Sequence, residues 1–387
     1  MKKLNSSLSS PCTTTTTIII IIFFFFPHPT LPQPTPPSYP PSSFPNPRLF
    51  NAYLALQAWK LAITADPNSF TANWYGPAVC NYSGVYCAPA PDDPYATTVA
   101  GIDLNHAGIS GTLPADLTLL SDLALLHLNS NHFSGDIPRR FQDLRRLFEL
   151  DLSNNAFCGH FPAALLRLPE LKFLDLRFNQ FQGKLPPEIF DSNLDAIFIN
   201  NNHFQAALPP NLGNSTASVI VLANNNLQGC LPPEIGRMSE TLNEIILSEN
   251  QLTACLPPEI GRLKRLTVFD VSRNNFVGAL PESMANMVSL EQLNVAHNRL
   301  SGNIPASICS LPRLANFTFS DNYFCGEPPV CLKLKDKDDS RNCIPYRPEQ
   351  RSAGECRDFY KTPVDCSIYS CSRRPPPPPP PPKEYYH

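Results

Sequence analysis

The chain has 387 residues, 42% of them hydrophobic and 16% charged, and a formal net charge of −3. Nothing in that balance provides the basic footprint of a nucleic-acid-binding protein. Charge is unevenly placed, because residues 332–387 hold 11 Lys/Arg against 8 Asp/Glu and are net basic, while the remainder is net acidic.

Lys2 and Lys3 precede a Ser/Thr stretch and the apolar run Ile18 to Phe26. The run is too short to span a bilayer and predicts a signal peptide over residues 1–26, with no membrane span further on. Residues 27–47 contain ten prolines among 21 residues and read as a disordered segment with extended polyproline II character. From Arg48 the pattern changes. Tyr53, Leu54, Leu56, Trp59 and Leu61 have helical spacing, stopped by Asp66-Pro67, and Trp74, Cys80 and Cys87 follow. No His or further Cys lies near Cys80 and Cys87, so a disulfide is expected there and not a metal site.

From Val99 to Gly326 one pattern is written ten times, with copies starting at Val99, Leu123, Leu147, Leu171, Leu194, Ala217, Leu242, Leu266, Leu290 and Leu314. The step of 23 to 25 residues means a solenoid. Within LxxLxLxxNxF/LxGxLP, the LxL part alternates and predicts a short strand with one face inward, as in Leu150, Asp151, Leu152. An asparagine recurs at Asn131, Asn155, Asn179, Asn202, Asn225, Asn250, Asn274, Asn298 and Asn322. Stacked in register, these amides bond to backbone groups that a curved turn leaves unpaired. Glycine follows in eight copies, with Ala206 and Ala254 as exceptions, and suits a sharp bend. The next proline ends strand pairing. These are leucine-rich repeats.

Cysteines are placed by the same register. Cys230 and Cys255 occupy equivalent positions in neighbouring coils, about one strand spacing of ~4.8 Å apart, and are expected to bond to each other. Cys158 and Cys325 precede the glycine in repeats three and ten, roughly 34 Å apart at that spacing, so they are free or pair elsewhere. Cys309 and Cys331 are positioned to close the C-terminal end. Cys343, Cys356, Cys366 and Cys371 lie in a segment, 327–372, too poor in apolar residues to fold without cross-links, and three connectivities are open. Export is consistent with this cysteine usage, and it makes Asn81, Asn214 and Asn316 candidate N-glycosylation sites. The chain ends in a polyproline segment, 373–387, with eight prolines and Lys383-Glu384-Tyr385-Tyr386-His387.

The N-x-L/F-x-G-x-I/L-P form resembles the plant-type leucine-rich repeat, which implies an α/β solenoid: a right-handed superhelix of about ten repeats with a parallel concave sheet. Residues 48–98, with VCNYSGVYC, are similar to the N-terminal cap of such proteins. The stretches NPRLFNAYLALQAWK, VAGIDLNHAGISGTLP, LFELDLSNN, LKFLDLRFN, SVIVLANNN, LTVFDVSRNN, IPASICSLPRL and RNCIPYRPEQRS, followed by a disulfide-rich tail and polyproline, resemble the leucine-rich repeat extensin family of plant cell-wall proteins. No Ser-Pro-Pro-Pro-Pro unit follows Cys371, unlike the long extensin region of that family, leaving Tyr385 and Tyr386 as the candidates for oxidative coupling.

No H-E-x-x-H, G-x-S-x-G or phosphate loop occurs, and Asp151 and Asp175 are repeat equivalents, not a paired acid and base; no enzyme, cofactor or metal is expected. Binding falls to the outward strand positions. An acidic group, Glu149, Asp151 and Asp175, and an apolar group, Phe173, Phe198, Val219, Val221, Ile246 and Val268, are expected there beside Glu244 and Asp270. The resemblance implies a secreted, extracellular cell-wall protein that binds basic Cys-rich signalling peptides of the rapid-alkalinisation-factor type, acting in wall assembly and growth control. Cell-wall polymers such as pectin are further expected partners, and a homodimer is left open. Alternatives are a secreted inhibitor of pectin-degrading enzymes and a structural wall glycoprotein.

Overall fold

A computed structural model describes residues 39–368 and 371. The expected signal peptide, most of the proline segment and the polyproline end lie outside the described residues. The chain divides into two compact units, Met1–Lys184 and Leu185–His387.

In the first unit, helix α1 (Pro47–Ala62) starts where Asn46 caps it, its side chain accepting from Leu49 N at 3.0 Å, with proline at the first turn where no amide donor is needed. Tyr53, Leu56 and Trp59 are buried as their spacing predicts, whereas Leu54 and Leu61 face outward. Trp59 and Trp74 are both fully buried, and Trp59 meets Phe133 of the repeats at 5.8 Å between ring centroids, joining cap to array. Cys80 and Cys87 are disulfide-bonded. The end of the proline segment is not extended throughout: Pro41–Ser43 form a tight turn that buries Phe44 against Phe50 and Tyr53.

The strand Val85–Ala90 pairs antiparallel with Asp93–Asp103. The strands Leu125–His127, Glu149–Asp151 and Phe173–Asp175 then add in parallel, one per repeat. In the second unit Ala196–Phe198, Val219–Val221, Glu244–Ile246, Val268–Asp270, Gln292–Asn294 and Asn316–Thr318 continue the same pattern in parallel register. The middle residue of each strand, from Ile102 to Phe317, points inward and is buried.

The asparagine ladder is present. Asn274, for example, accepts from Leu252 N at 2.9 Å and donates to the carbonyls of Leu247, Val271 and Ser272 at 2.9 to 3.2 Å. The residue before each ladder asparagine is left-handed, with φ between 49° and 58° from Ser130 to Asp321, so the turn has one geometry whatever side chain stands there.

Three features were not expected. A second set of short strands follows each ladder asparagine, such as His132–Gly135, Ala156–His160 and Gln180–Gly183 in the first unit and Gln251–Cys255, Asn275–Gly278 and Arg299–Asn303 in the second. The bend therefore carries its own parallel pairing. Next, the ladder runs one coil beyond Gly326: Asp336–Asp338 pairs in parallel with Asn316–Thr318, Arg341 takes the left-handed position, and Asn342 accepts from Phe324 N at 3.1 Å. In this coil Lys337 stands opposite Phe317, at the inward leucine position, and ion-pairs with Glu327 and Asp339.

Finally, the expected Cys230–Cys255 bond is wrong. Cys230 joins Cys371 and Cys255 joins Cys366. Both cysteines sit at the bend where the tail runs past, and each takes its partner from the tail, not from the adjacent coil. Cys309–Cys331 and Cys343–Cys356 complete the set in this unit. Cys325 is free and exposed, and Cys158 is disulfide-bonded. Helix α2 (Ala306–Cys309) carries the first of these cysteines on the convex side. Helix α3 (Ala353–Tyr360), closed by a Ser352/Glu355 capping box, places Phe359 on Tyr323 with rings 3.7 Å apart, while Tyr360 Oη donates to Tyr323 O.

Candidate functional site

Outward strand residues form two columns. In the first unit the nearer column runs Gly101, Leu125, Glu149, Phe173 and the next Asp103, His127, Asp151, Asp175. In the second unit the columns run Ala196, Val219, Glu244, Val268, Gln292, Asn316 and Phe198, Val221, Ile246, Asp270, Asn294, Thr318. Short extended segments with period-two alternation put these side chains on one face, one strand spacing apart.

The acidic group of the first unit is weaker than the sequence suggested. Glu149 pairs with His127 at 3.2 Å, and Asp151 Oδ1 accepts from both N and Oγ of Ser153. Asp175 is not on the surface at all: its side chain is fully buried, correcting its place in a solvent-facing acidic patch. Burial pushes its carboxyl up to about 7, helped by the nearby Asp151 charge, against the opposing pull of the Arg177 backbone amide and guanidinium. Arg177 Nε lies 3.0 Å from Oδ2 as an ion pair lacking hydrogen-bond alignment, so it offsets the desolvation only in part.

The second unit presents a continuous apolar row. Phe198, Val221 and Ile246 stand side by side on adjacent strands, all half-buried, with Val219 and Val268 in the neighbouring column and Glu244 and Asp270 interleaved. Asp270 is held by Ser272 N at 2.8 Å and Asn294 Nδ2 at 3.3 Å. Phe173 is half-buried on the first unit's strands.

Of the glycosylation candidates, Asn81 is exposed in a short turn beside Cys80, and Asn214 is exposed but donates through Nδ2 to Asp191 at 2.8 Å. Asn316 is exposed on the strand face, its Oδ1 accepting from Thr318 Oγ1 at 3.1 Å. No helix among the described residues is long and apolar enough to cross a membrane. The tail was sensed in the sequence only as a cross-linked segment; its attachment to two separate coils was not.

Comparison with known proteins agrees with this architecture. The "Leucine rich repeat" family model matches residues 121–181 and 240–300, and the "Leucine rich repeat N-terminal domain" matches 51–88. Leucine-rich repeat extensin-like protein 6 of Arabidopsis thaliana is 60% identical over 90% of this chain and 72% of its own length. Protein 5 of the same series is 73% identical over 85% of this chain, but only 38% of its own length is covered. Among solved structures, the Arabidopsis receptor kinase HAESA in complex with the peptide hormone IDA and the co-receptor SERK1 is 27% identical with a TM-score of 0.61, covering 75% of this chain and 53% of that one. A plant ice-binding protein, 24% identical, gives 0.62 over 79% and 96% of the two chains and shares the fold. Repeat pattern, cap and overall identity together make this chain a member of the leucine-rich repeat extensin-like family.

Proposed function

We propose that this protein is a secreted cell-wall receptor-like binder of basic, cysteine-rich peptides of the rapid-alkalinisation-factor type, acting in wall assembly and growth control. The row Phe198, Val221, Ile246, flanked by Glu244 and Asp270, carries the reading. Half-buried apolar side chains fixed on strands lose little freedom on binding, and interleaved carboxylates match a cationic ligand. The similar HAESA structure, a peptide-hormone complex, supports a peptide as the occupant. The tail, fastened by Cys230–Cys371 and Cys255–Cys366, is held against the same unit and is available as a second contact surface.

The test is binding of an oxidised basic Cys-rich peptide to the secreted chain by surface-immobilised kinetics. Phe198→Ala should speed dissociation, costing about 1 to 3 kcal/mol. Glu244→Lys with Asp270→Lys should slow association and flatten its salt dependence. Unchanged kinetics in both variants would remove the strand face from the mechanism.

A further inference from the structure

In the first unit the strand Asp93–Asp103 runs well beyond the three positions, Gly101 to Asp103, that pair with the next coil. Its far end belongs to the hairpin turn. Ala90 pairs with Asp93, but the next pair is Pro89 with Thr97, so Pro94, Tyr95 and Ala96 are looped out of the ladder as a bulge. Tyr95 is 98% exposed, and its hydroxyl makes no hydrogen bond among the described residues. Two carboxylates lead into it. Asp92 is held by Arg48 of helix α1, Nη2 to Oδ1 at 2.6 Å. Asp93 is exposed, has no ion-pair partner among the described residues, and accepts through Oδ1 from Tyr95 N at 3.0 Å. That bond fixes the backbone of the bulge while leaving the Asp93 charge at its tip.

Other tyrosines lack one half of this arrangement. Tyr346 is as exposed, but the five residues before it hold no carboxylate and Arg347 follows. Tyr360 has Asp358 before it, but its hydroxyl donates to Tyr323 O. We propose that Tyr95 is a site of enzymatic O-sulfation. A sulfotransferase must hold a strongly anionic donor, so its cleft is basic, and it selects a phenol preceded by carboxylates. The bulge supplies those carboxylates, an uncommitted hydroxyl and a backbone segment free of ladder pairing. In the reaction the phenol oxygen attacks the sulfur of an activated phosphosulfate donor. The new O–S bond forms as the bond from sulfur to the donor's phosphate oxygen breaks, the phenol proton passes to a base of the transferase, and the nucleotide leaves with its phosphate. The ester adds a fixed negative charge beside Asp92 and Asp93, turning a polar tip into an anionic one. This inference rests on the reading that the chain is secreted, because the transferase and its donor meet exported chains.

The oxidised intact chain, made in a host without tyrosine sulfation, is incubated with a tyrosylprotein sulfotransferase and labelled phosphosulfate donor, and peptide mapping locates the label. Label should appear on the peptide containing Tyr95 and vanish in Tyr95→Phe. Asp93→Asn keeps the acceptor for Tyr95 N but removes the charge, and should slow labelling severalfold, while Tyr346→Phe leaves it unchanged. The chain secreted by plant cells should carry a phosphatase-resistant sulfate on the same tyrosine. Absence of label at Tyr95, equal labelling at Tyr346, undiminished labelling of Asp93→Asn, or an unmodified or phosphorylated Tyr95 in the secreted chain would each overturn the assignment. Retention inside the cells would refute secretion instead, with the labelling of the purified chain still deciding this site.

Discussion

The coil after Gly326 puts charges where every earlier coil puts apolar side chains, and this makes Lys337 a sharp test. Lys337 Nζ lies 2.8 Å from Glu327 Oε1 and 2.6 Å from Asp339 Oδ2, and Arg347 Nε lies 3.2 Å from Glu327 Oε2. Glu327 is only 1% exposed and Lys337 10%, so solvent does little to screen the cluster. Replacing one member of a buried pair costs about 3 to 5 kcal/mol, because the other charge stays buried without its counterion. Here Arg347 remains beside Glu327, so Lys337→Met should cost somewhat less, about 2 to 4 kcal/mol. Replacing Glu327, Lys337, Asp339 and Arg347 together by apolar residues of similar size should recover most of that loss, since no charge is stranded. Urea unfolding of the oxidised chain measures the whole effect, and amide hydrogen exchange at 336–338 locates it, repeat arrays being free to open from an end. If Lys337→Met shows the same urea midpoint and the same exchange at those amides, the network does not hold the last coil and the reasoning fails.

Other expectations concern the rest of the array. Asn274→Leu strips Leu252 N of its partner, while Leu247 O keeps Asn250 Nδ2, and should destabilise by about 1 to 3 kcal/mol in urea unfolding. Ala254 holds φ +74° where Gly229 and Gly278 hold 78° and 80°, so Ala254→Gly should stabilise the fold by roughly 0.5 to 1 kcal/mol once the added freedom of the unfolded chain is subtracted, read as a higher melting temperature. The buried Asp175 carboxyl, raised to about 7, keeps its proton in the folded chain until the pH nears that value, whereas the unfolded chain releases it at the ordinary value. Stability should therefore fall as pH rises from about 4 to about 7 and then level, and Asp175→Asn should flatten that slope by up to about 4 kcal/mol. Non-reducing peptide mapping should recover Cys230 with Cys371 and Cys255 with Cys366, with Cys325 alkylated; a Cys230–Cys255 peptide would contradict this threading of the tail.

The repeated asparagine and the LxL alternation by themselves determined the coil, because each copy solves the same local problem with the same side chains: Leu150 and Leu152 inward, Asn155 closing the turn. The start of the first helix is equally local, since Asn46 and Pro47 act on the amides of their own helix, but it was not read because Pro47 counted with the proline segment before it. What the sequence could not decide were contacts between residues far apart along the chain. Cys230 and Cys255 are neighbours by register, yet their partners lie 141 and 111 residues away, chosen by the path of a tail with no repeat to index it. The last coil was missed because Lys337 and Asp339 break the apolar pattern, and only three-dimensional placement of Glu327 and Arg347 makes those charges admissible inside. Asp175 likewise matches Asp151 in sequence, but exposure belongs to the surroundings of a position, not to its place in a repeat. Tertiary structure alone decides it, because desolvation depends on every atom that comes near.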